Sequence, residues 1–448
     1  MKNVNEQIEE NVDVDSAIQS TASWEPPPIQ GLEDTGLSQG FLADMALKVL
    51  YFQGQATGFE IADHLRLPFQ AVISGIMDFL KREQMCEVKG AGGLGSGSYQ
   101  YVITSKGSAR AREQLERTAY LGPAPVPWDD YVAAIQAQGS GRLKVNPPLM
   151  KEALSHLVLE DEVFSKVGPA VNSGMSIFLY GPPGNGKTTI AESIGHMVLR
   201  DDIYIPYSLF VDGQVILLYD EINHVAVAPS GRDGSAPASL GAHRRDARWI
   251  RIHRPVIMVG GELTLDGLEL QYDPINKFYE APFQMKANGG MFLIDDFGRQ
   301  QIRPRDLLNR WIVPMEKNID FLSLHTGRKL EVPFQLLLVF STNLPPRDLV
   351  DEAFLRRIRH KIEVTPPGFE SYREIFRQVC ERRNIRYDEQ AVKYLLQEFY
   401  VKAERKLRAN HPRDLMDQIM DISEYLDREP ELTKELLDRA AASYFVDL

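Results

Sequence analysis

A nine-residue loop constrains this chain more than any other feature. An apolar run, Met175 to Tyr180, leads into Gly181-Pro182-Pro183-Gly184-Asn185-Gly186-Lys187-Thr188-Thr189, and a helical pattern starts at Ile190. Strand, G-x-x-x-x-G-K-T and helix in that order form a loop that cradles phosphates. Its glycines let backbone amides turn inward, and the helix start adds its positive end. In this pattern Lys187 neutralises β and γ oxygens, and the Thr188 hydroxyl ligates Mg²⁺. A buried strand feeding a helix needs parallel neighbours, so the expected fold class is α/β with a parallel sheet.

Such a loop needs a carboxylate from a neighbouring strand to hold the metal, and two acidic pairs compete. Val215 to Leu218 runs through Tyr219 into Asp220-Glu221, only 33 residues after Lys187, with a turn-like Asp212-Gly213 just before it. That interval barely accommodates a helix and a crossover. Gly289 to Ile294 ends in Asp295-Asp296 and is followed by a further apolar strand, Gln335 to Phe340, ending in Ser341-Thr342-Asn343. Asp295 is therefore the expected Mg²⁺ ligand and Asp296 the group that polarises the attacking water. Asp220 and Glu221 are expected to be a solvated strand end. No N-K-x-D motif that would read guanine follows the loop, which favours ATP over GTP; Asn276-Lys277 continues Phe-Tyr.

At 448 residues the chain exceeds one ordinary core, and its 44% hydrophobic and 25% charged residues are those of a globular protein. The net charge of −12 is unevenly spread: residues 1–40 carry eight acidic groups against Lys2 alone. With Pro26-Pro27-Pro28 they are expected to be a disordered acidic tail. Cys86 and Cys380 lie far apart without metal-site spacing, which suits free thiols in a reducing compartment. No 18-residue apolar run occurs and the acidic start fits no leader, so membrane insertion is not expected and a cytoplasmic location is.

Residues 41–118 have three helical patterns and two strand-like runs, an order that resembles a winged helix. Thr57-Gly58-Phe59-Glu60 fits a capping box. Gly90-Ala91-Gly92-Gly93-Leu94-Gly95 satisfies G-x-G-x-x-G, but a strand rather than a helix follows, so no dinucleotide site is expected. The helix that would enter a DNA groove offers Gln70, Ser74 and Asp78, with Lys81 and Arg82 only at its far end, and the unit's net charge is +1. Phosphate binding requires clustered bases, so a docking role for protein is favoured while nucleic acid stays open.

The core is similar to the AAA+ ATPases over roughly residues 125–448. In that family a polar residue ends the strand after the metal-binding strand; Asn343 resembles this sensor 1. Asp351-Glu352-Ala353-Phe354-Leu355-Arg356-Arg357 is similar to the arginine-finger segment, with Arg356 and Arg357 equal candidates. Residues 368–448 resemble the α-helical lid, and Arg413 within His411-Pro412-Arg413-Asp414-Leu415 resembles sensor 2. The resemblance implies an ATPase core over 123–367, using ATP and Mg²⁺, and a homo-oligomer, expected to be a hexameric ring. Two departures matter: Asp-Asp replaces the usual Asp-Glu, and the 108 residues from Lys187 to Asp295 imply an insertion near 200–285. Five arginines and a Trp in residues 243–254 could face nucleic acid, a neighbouring subunit or the acidic tail. The hairpin from Phe321 to Pro333 is like that of the pre-sensor-1 branch, which includes MoxR-like ATPases. The pore triplet of protein-threading members is not evident.

The expected function is an ATP-driven remodelling or chaperone-like ATPase acting on a protein client. A DNA-associated ATPase or transcription regulator is the alternative, and a slow nucleotide-gated switch is a third possibility if Asp296 is a poor base.

Overall fold

Five strands, four of them apolar runs, pair edge to edge in the computed structural model, which describes residues 24–91, 93, 95–139, 145–198, 201–228, 245–349 and 355–445. They are β1 (Ile177–Tyr180), β2 (Val256–Val259), β3 (Met291–Ile294), β4 (Leu337–Thr342) and β5 (His360–Glu363). Their spatial order is β2-β3-β4-β1-β5 and every pairing is parallel. Parallel strands are covered on both faces, which explains why β3 and β4 are buried at every position. Helix α1 (Lys187–Val198) covers one face through Ile190, Ala191 and Ile194. Helix α2 (Pro304–Lys317) covers the other, where the fully buried Trp311 meets Phe292 and Phe340. The protein is thus an α/β fold with the phosphate-loop sequence between its first sheet strand and the helix that follows.

Beyond the sheet the chain becomes helical. Helices α3 (Phe369–Arg382), α4 (Glu389–Leu395), α5 (His411–Tyr425) and α6 (Lys434–Tyr444) close around Tyr372, Phe376, Leu415, Ile419 and Leu437. Pro412 sits in the first turn of α5, where a missing N–H costs nothing.

Between α1 and β3 the chain builds a second layer. Residues 208–211 and 214–217 form a hairpin whose two turn residues, Asp212 (φ 50°) and Gly213 (φ 77°), take the left-handed conformation that tight hairpins require. Residues 126–127, 271–273 and 278–280 complete a mixed five-stranded sheet with it. Asp220 is not the solvated strand end expected of it. It receives Lys286 Nζ at 2.8 Å, the Ile222 N–H and the Asn223 amide, and Lys286 itself is 5% exposed. Burial opposes the Asp220 charge, but these bonds outweigh it and hold the carboxyl at about 2.

The hairpin at Ile319–Ser323 and Lys329–Pro333 is packed into this layer rather than projecting from it. Leu322, Leu324, Leu330 and Val332 share a core with Ile216, Tyr279 and Met285, and His325 at its tip stacks on Tyr272 at 4.4 Å. Asp320, buried at its base, pairs with Arg310 of α2.

The N-terminal unit also departs from expectation. The disordered tail expected over residues 1–40 does not describe residues 24–40: Ile29, Thr35 and Leu37 are buried, and Trp24 packs edge-on against Trp249 at 5.0 Å. Residues 1–23 lie outside the described residues. Helices at 39–53, 58–65, 74–82 and 105–117 surround a three-stranded antiparallel sheet of residues 55–57, 99–103 and 86–91. The capping box is made: Glu60 N–H donates to Thr57 Oγ1 and Thr57 N–H to Glu60. The unit rests on the second layer through Phe41 against Phe210 at 4.6 Å, Tyr120 against Phe278, and the Ser208 hydroxyl donating to Tyr120.

Of the three partners expected for residues 243–254, nucleic acid, a neighbouring subunit or the acidic N-terminal segment, the described arginines meet the last, through Glu25 and the Thr35 carbonyl, together with acidic groups of their own layer. His243 and Arg244 lie outside the described residues. Arg248 is 2% exposed, pairs with Asp246, and donates to Thr35 O and Pro125 O. Arg251 pairs with Asp202. Arg254 reaches Asp201 and the carbonyls of Gly289 and Gln138. Arg245 lies over the Tyr204 ring, with Glu25 at 3.8 Å.

Candidate functional site

Strand register assembles the site. Tyr180 is level with Thr342, and Ile294 with Phe340. The residues just past β1, β4 and β3 are Gly181, Asn343 and Asp295, so three segments distant in sequence converge at the carboxyl edge of one sheet. That edge is where open α/β sheets bind ligands.

The loop is shaped by glycines for which no other residue would serve. Gly181 has φ +142°, and a Cβ there would lie 2.3 Å from Val364 O. Gly184 has φ +80°, and a Cβ would lie 2.2 Å from Asn410 Oδ1 of the helical region. Lys187 is 6% exposed; its Nζ donates to Gly181 O and Pro182 O, both at 2.9 Å, and to Asn343 Oδ1 at 2.7 Å. Burial lowers its pKa, while Asp295 and Asp296 act to raise it. Pro183, Gly186 and Thr189 complete the turn into α1, with Ile190 N–H bonding to Gly186 O.

Thr188 Oγ1 lies 3.2 and 3.0 Å from the two oxygens of Asp295. A hydroxyl and a carboxylate at this spacing on the rim of a phosphate loop suit Mg²⁺, which takes few protein ligands and completes its shell with phosphate and water. Among the described residues no cluster of three or more His, Cys, Asp or Glu could hold a metal.

Asp296 is left-handed at φ +48°, which turns its carboxylate away from the strand line and toward Asn343. Asn343 Nδ2 donates to Asp296 Oδ1 at 3.0 Å while Asn343 Oδ1 accepts from Lys187. One amide therefore links the lysine to the second carboxylate. The turn is braced by Gln300, which sequence reading missed: its Nε2 donates to Asp295 O and its Oε1 accepts from Gly298 N–H, both at 2.8 Å. No motif marks a side chain that serves only two backbone groups.

The remaining candidates are less close. Arg413, at the start of α5, is exposed and pairs with its neighbour Asp414 at 3.0 Å. Arg357 pairs with Glu316 of α2 at 2.5 Å. Arg356 is exposed, with no ion-pair partner among the described residues; Asp351 to Phe354 lie outside them. The helical region joins the loop just before α5, where Asn410 N–H donates to Gly184 O at 2.8 Å and Ala409 N–H to Asn185 Oδ1 at 3.4 Å.

Residues 369–443 match the family described as a domain of unknown function, DUF8689. No curated protein matches the chain. Among solved structures it is similar to NtrX from Brucella abortus, at 14% identity and a TM-score of 0.38, over 64% of this chain. The chain spans 56% of that structure, little more than half its length. It is also similar to the RuvB Holliday junction branch migration motor of Thermotoga maritima, at 13% identity and a TM-score of 0.36, over 64% of this chain and 71% of that one. Likenesses this slight have no bearing on activity. Among the described residues no helix is long and apolar enough to cross a membrane.

Proposed function

We propose that this chain is an AAA+-type ATPase that hydrolyses ATP with Mg²⁺, works as an oligomer and remodels a protein complex. The observation that carries the reading is the double convergence at the loop: Thr188 with Asp295 on one side, and Lys187, Asn343 and Asp296 on the other. Thr188 and Asp295 would hold Mg²⁺, which supplies charge neutralisation at the phosphate oxygens when bound. Lys187 exchanges its two carbonyl partners for phosphate oxygens. Asp296 keeps its Oδ1 on Asn343 Nδ2, and its Oδ2 accepts the proton from water, with Asn343 fixing the carboxylate's orientation. Arg356 rather than Arg357 is the better finger toward a second copy, because Arg357 is already tied to Glu316.

A protein client is favoured over DNA by what the N-terminal unit does with its bases. Lys81 is paired with Asp78 at 2.7 Å, and Lys106 donates to Glu83 O, so neither is free for phosphate neutralisation. The deciding experiment is Mg²⁺-dependent ATP turnover by the wild type, Lys187→Ala and Asp296→Asn. Lys187→Ala should lose nucleotide binding, and Asp296→Asn should keep binding while turnover drops at least about tenfold. An unchanged rate in Asp296→Asn would remove Asp296 from the mechanism. Steeply salt-dependent DNA retention by the wild type would replace the protein client with nucleic acid.

A further inference from the structure

The seam between the phosphate loop and the helical region contains two polar atoms that their surroundings leave unpaired. Asn185, in the middle of the loop, is 4% exposed; its Oδ1 accepts Ala409 N–H at 3.4 Å, and its Nδ2 is buried with no partner among the described residues. Across the seam Asn410 donates its N–H to Gly184 O at 2.8 Å and its Nδ2 to Asp414 Oδ2 at 2.7 Å. Its Oδ1 is buried and unpartnered among the described residues. These contacts fix both amides: turning Asn410 over would set an oxygen against a carboxylate, and turning Asn185 over would set an NH₂ against an N–H. What is left over is one donor and one acceptor.

A buried donor and a buried acceptor left unpaired are costly, and a shift that joined them would relieve both. The seam is uneven: Asn410 already lies against Gly184, while the Ala409 to Asn185 contact is long for an amide bond. We propose that Asn185 and Asn410 form a latch, in which closure of the helical region over a bound nucleotide brings Asn185 Nδ2 onto Asn410 Oδ1. The proposal rests on the nucleotide-binding reading above and adds a means of coupling to it. Asn410 is a positioning residue: it also holds Asp414, which receives Tyr444 OH at 2.8 Å and is the partner of Arg413. Latching therefore moves the start of α5, and Arg413 with it, toward the loop.

The test is a double-mutant cycle on the full chain, measuring affinity for a fluorescent ATP analogue with Mg²⁺. Asn185→Ala and Asn410→Ala should each weaken binding about three- to tenfold, and the double variant should be no weaker than the worse single one. Losses that multiply, or no loss from Asn410→Ala, overturn the latch. Unfolding without nucleotide is the companion measurement. There the pair is unmade and the two substitutions should act independently; coupling in that state too would overturn the proposal. If the wild type lacks saturable binding that Lys187→Ala abolishes, the nucleotide reading itself is what fails.

Discussion

Asp296 combines two demands that usually conflict. In the proposed role its carboxylate should reach a water, yet its backbone sits at φ +48°, a conformation that Asp and Asn tolerate and longer side chains tolerate poorly. The short side chain at this position thus has a conformational reason. Asp296→Asn should leave the unfolding midpoint nearly unchanged while turnover collapses. Asp296→Glu, with a longer arm, should destabilise the fold by about 1 kcal/mol. Paired chemical denaturation curves check both, and a Glu variant as stable as wild type would mean the turn relaxes freely.

Among the elements, α5 has a buried histidine whose surroundings make it sensitive to acid. His411 at its first position is 6% exposed and bonded to Tyr400 OH at 2.8 Å, which in turn bonds to Tyr372. Burial, with Arg408 and Arg405 nearby, holds the imidazole at about 4 despite Asp414. The unfolded chain, with an ordinary imidazole, takes up its proton first, so stability is complete above about 6.5 and falls as pH drops toward 4. Melting followed from pH 7.5 to 4.5 should show this decline, and His411→Gln should flatten it. Equal slopes in both proteins would assign the acid sensitivity elsewhere.

Across the whole molecule, chains of contact join the nucleotide loop to the N-terminal unit. Arg310 of α2 grips Asp320 at the base of the hairpin; the hairpin shares a core with the second layer; and the N-terminal unit rests on that layer. Arg248 is the pin, since it draws the carbonyls of Thr35 and Pro125 onto the second layer. Arg248→Ala strands the buried Asp246 and should cost about 3–5 kcal/mol, read by denaturant unfolding. A cost below 1 kcal/mol would mean the pin carries little. The proposed assembly gives the other molecule-scale prediction. Arg356→Ala should reduce turnover without weakening ATP affinity, and adding it to wild-type protein should poison activity beyond simple dilution. Turnover that scales with the wild-type fraction alone would deny a shared site.

The phosphate loop, the acidic end of β3 and the asparagine after β4 could be read from the chain because each is a local signal. A strand that ends in a polar residue, or a glycine run between strand and helix, is specified by neighbours a few residues apart. Local pattern likewise marked the capping box and the Asp212-Gly213 turn. It could not assign partners. Whether Arg248 faced solvent or Asp246, or whether the 319–333 hairpin stood free or lay on Tyr272, depended on chain segments scores of residues away. The same holds for Gln300 and Asn410, whose roles consist of bonds to backbone groups, and backbone groups leave no mark on sequence. Charge was the most misleading quantity for that reason. Residue type determines that five arginines are cationic; only the packing around them determined that the four described here pair with acidic groups of the same chain.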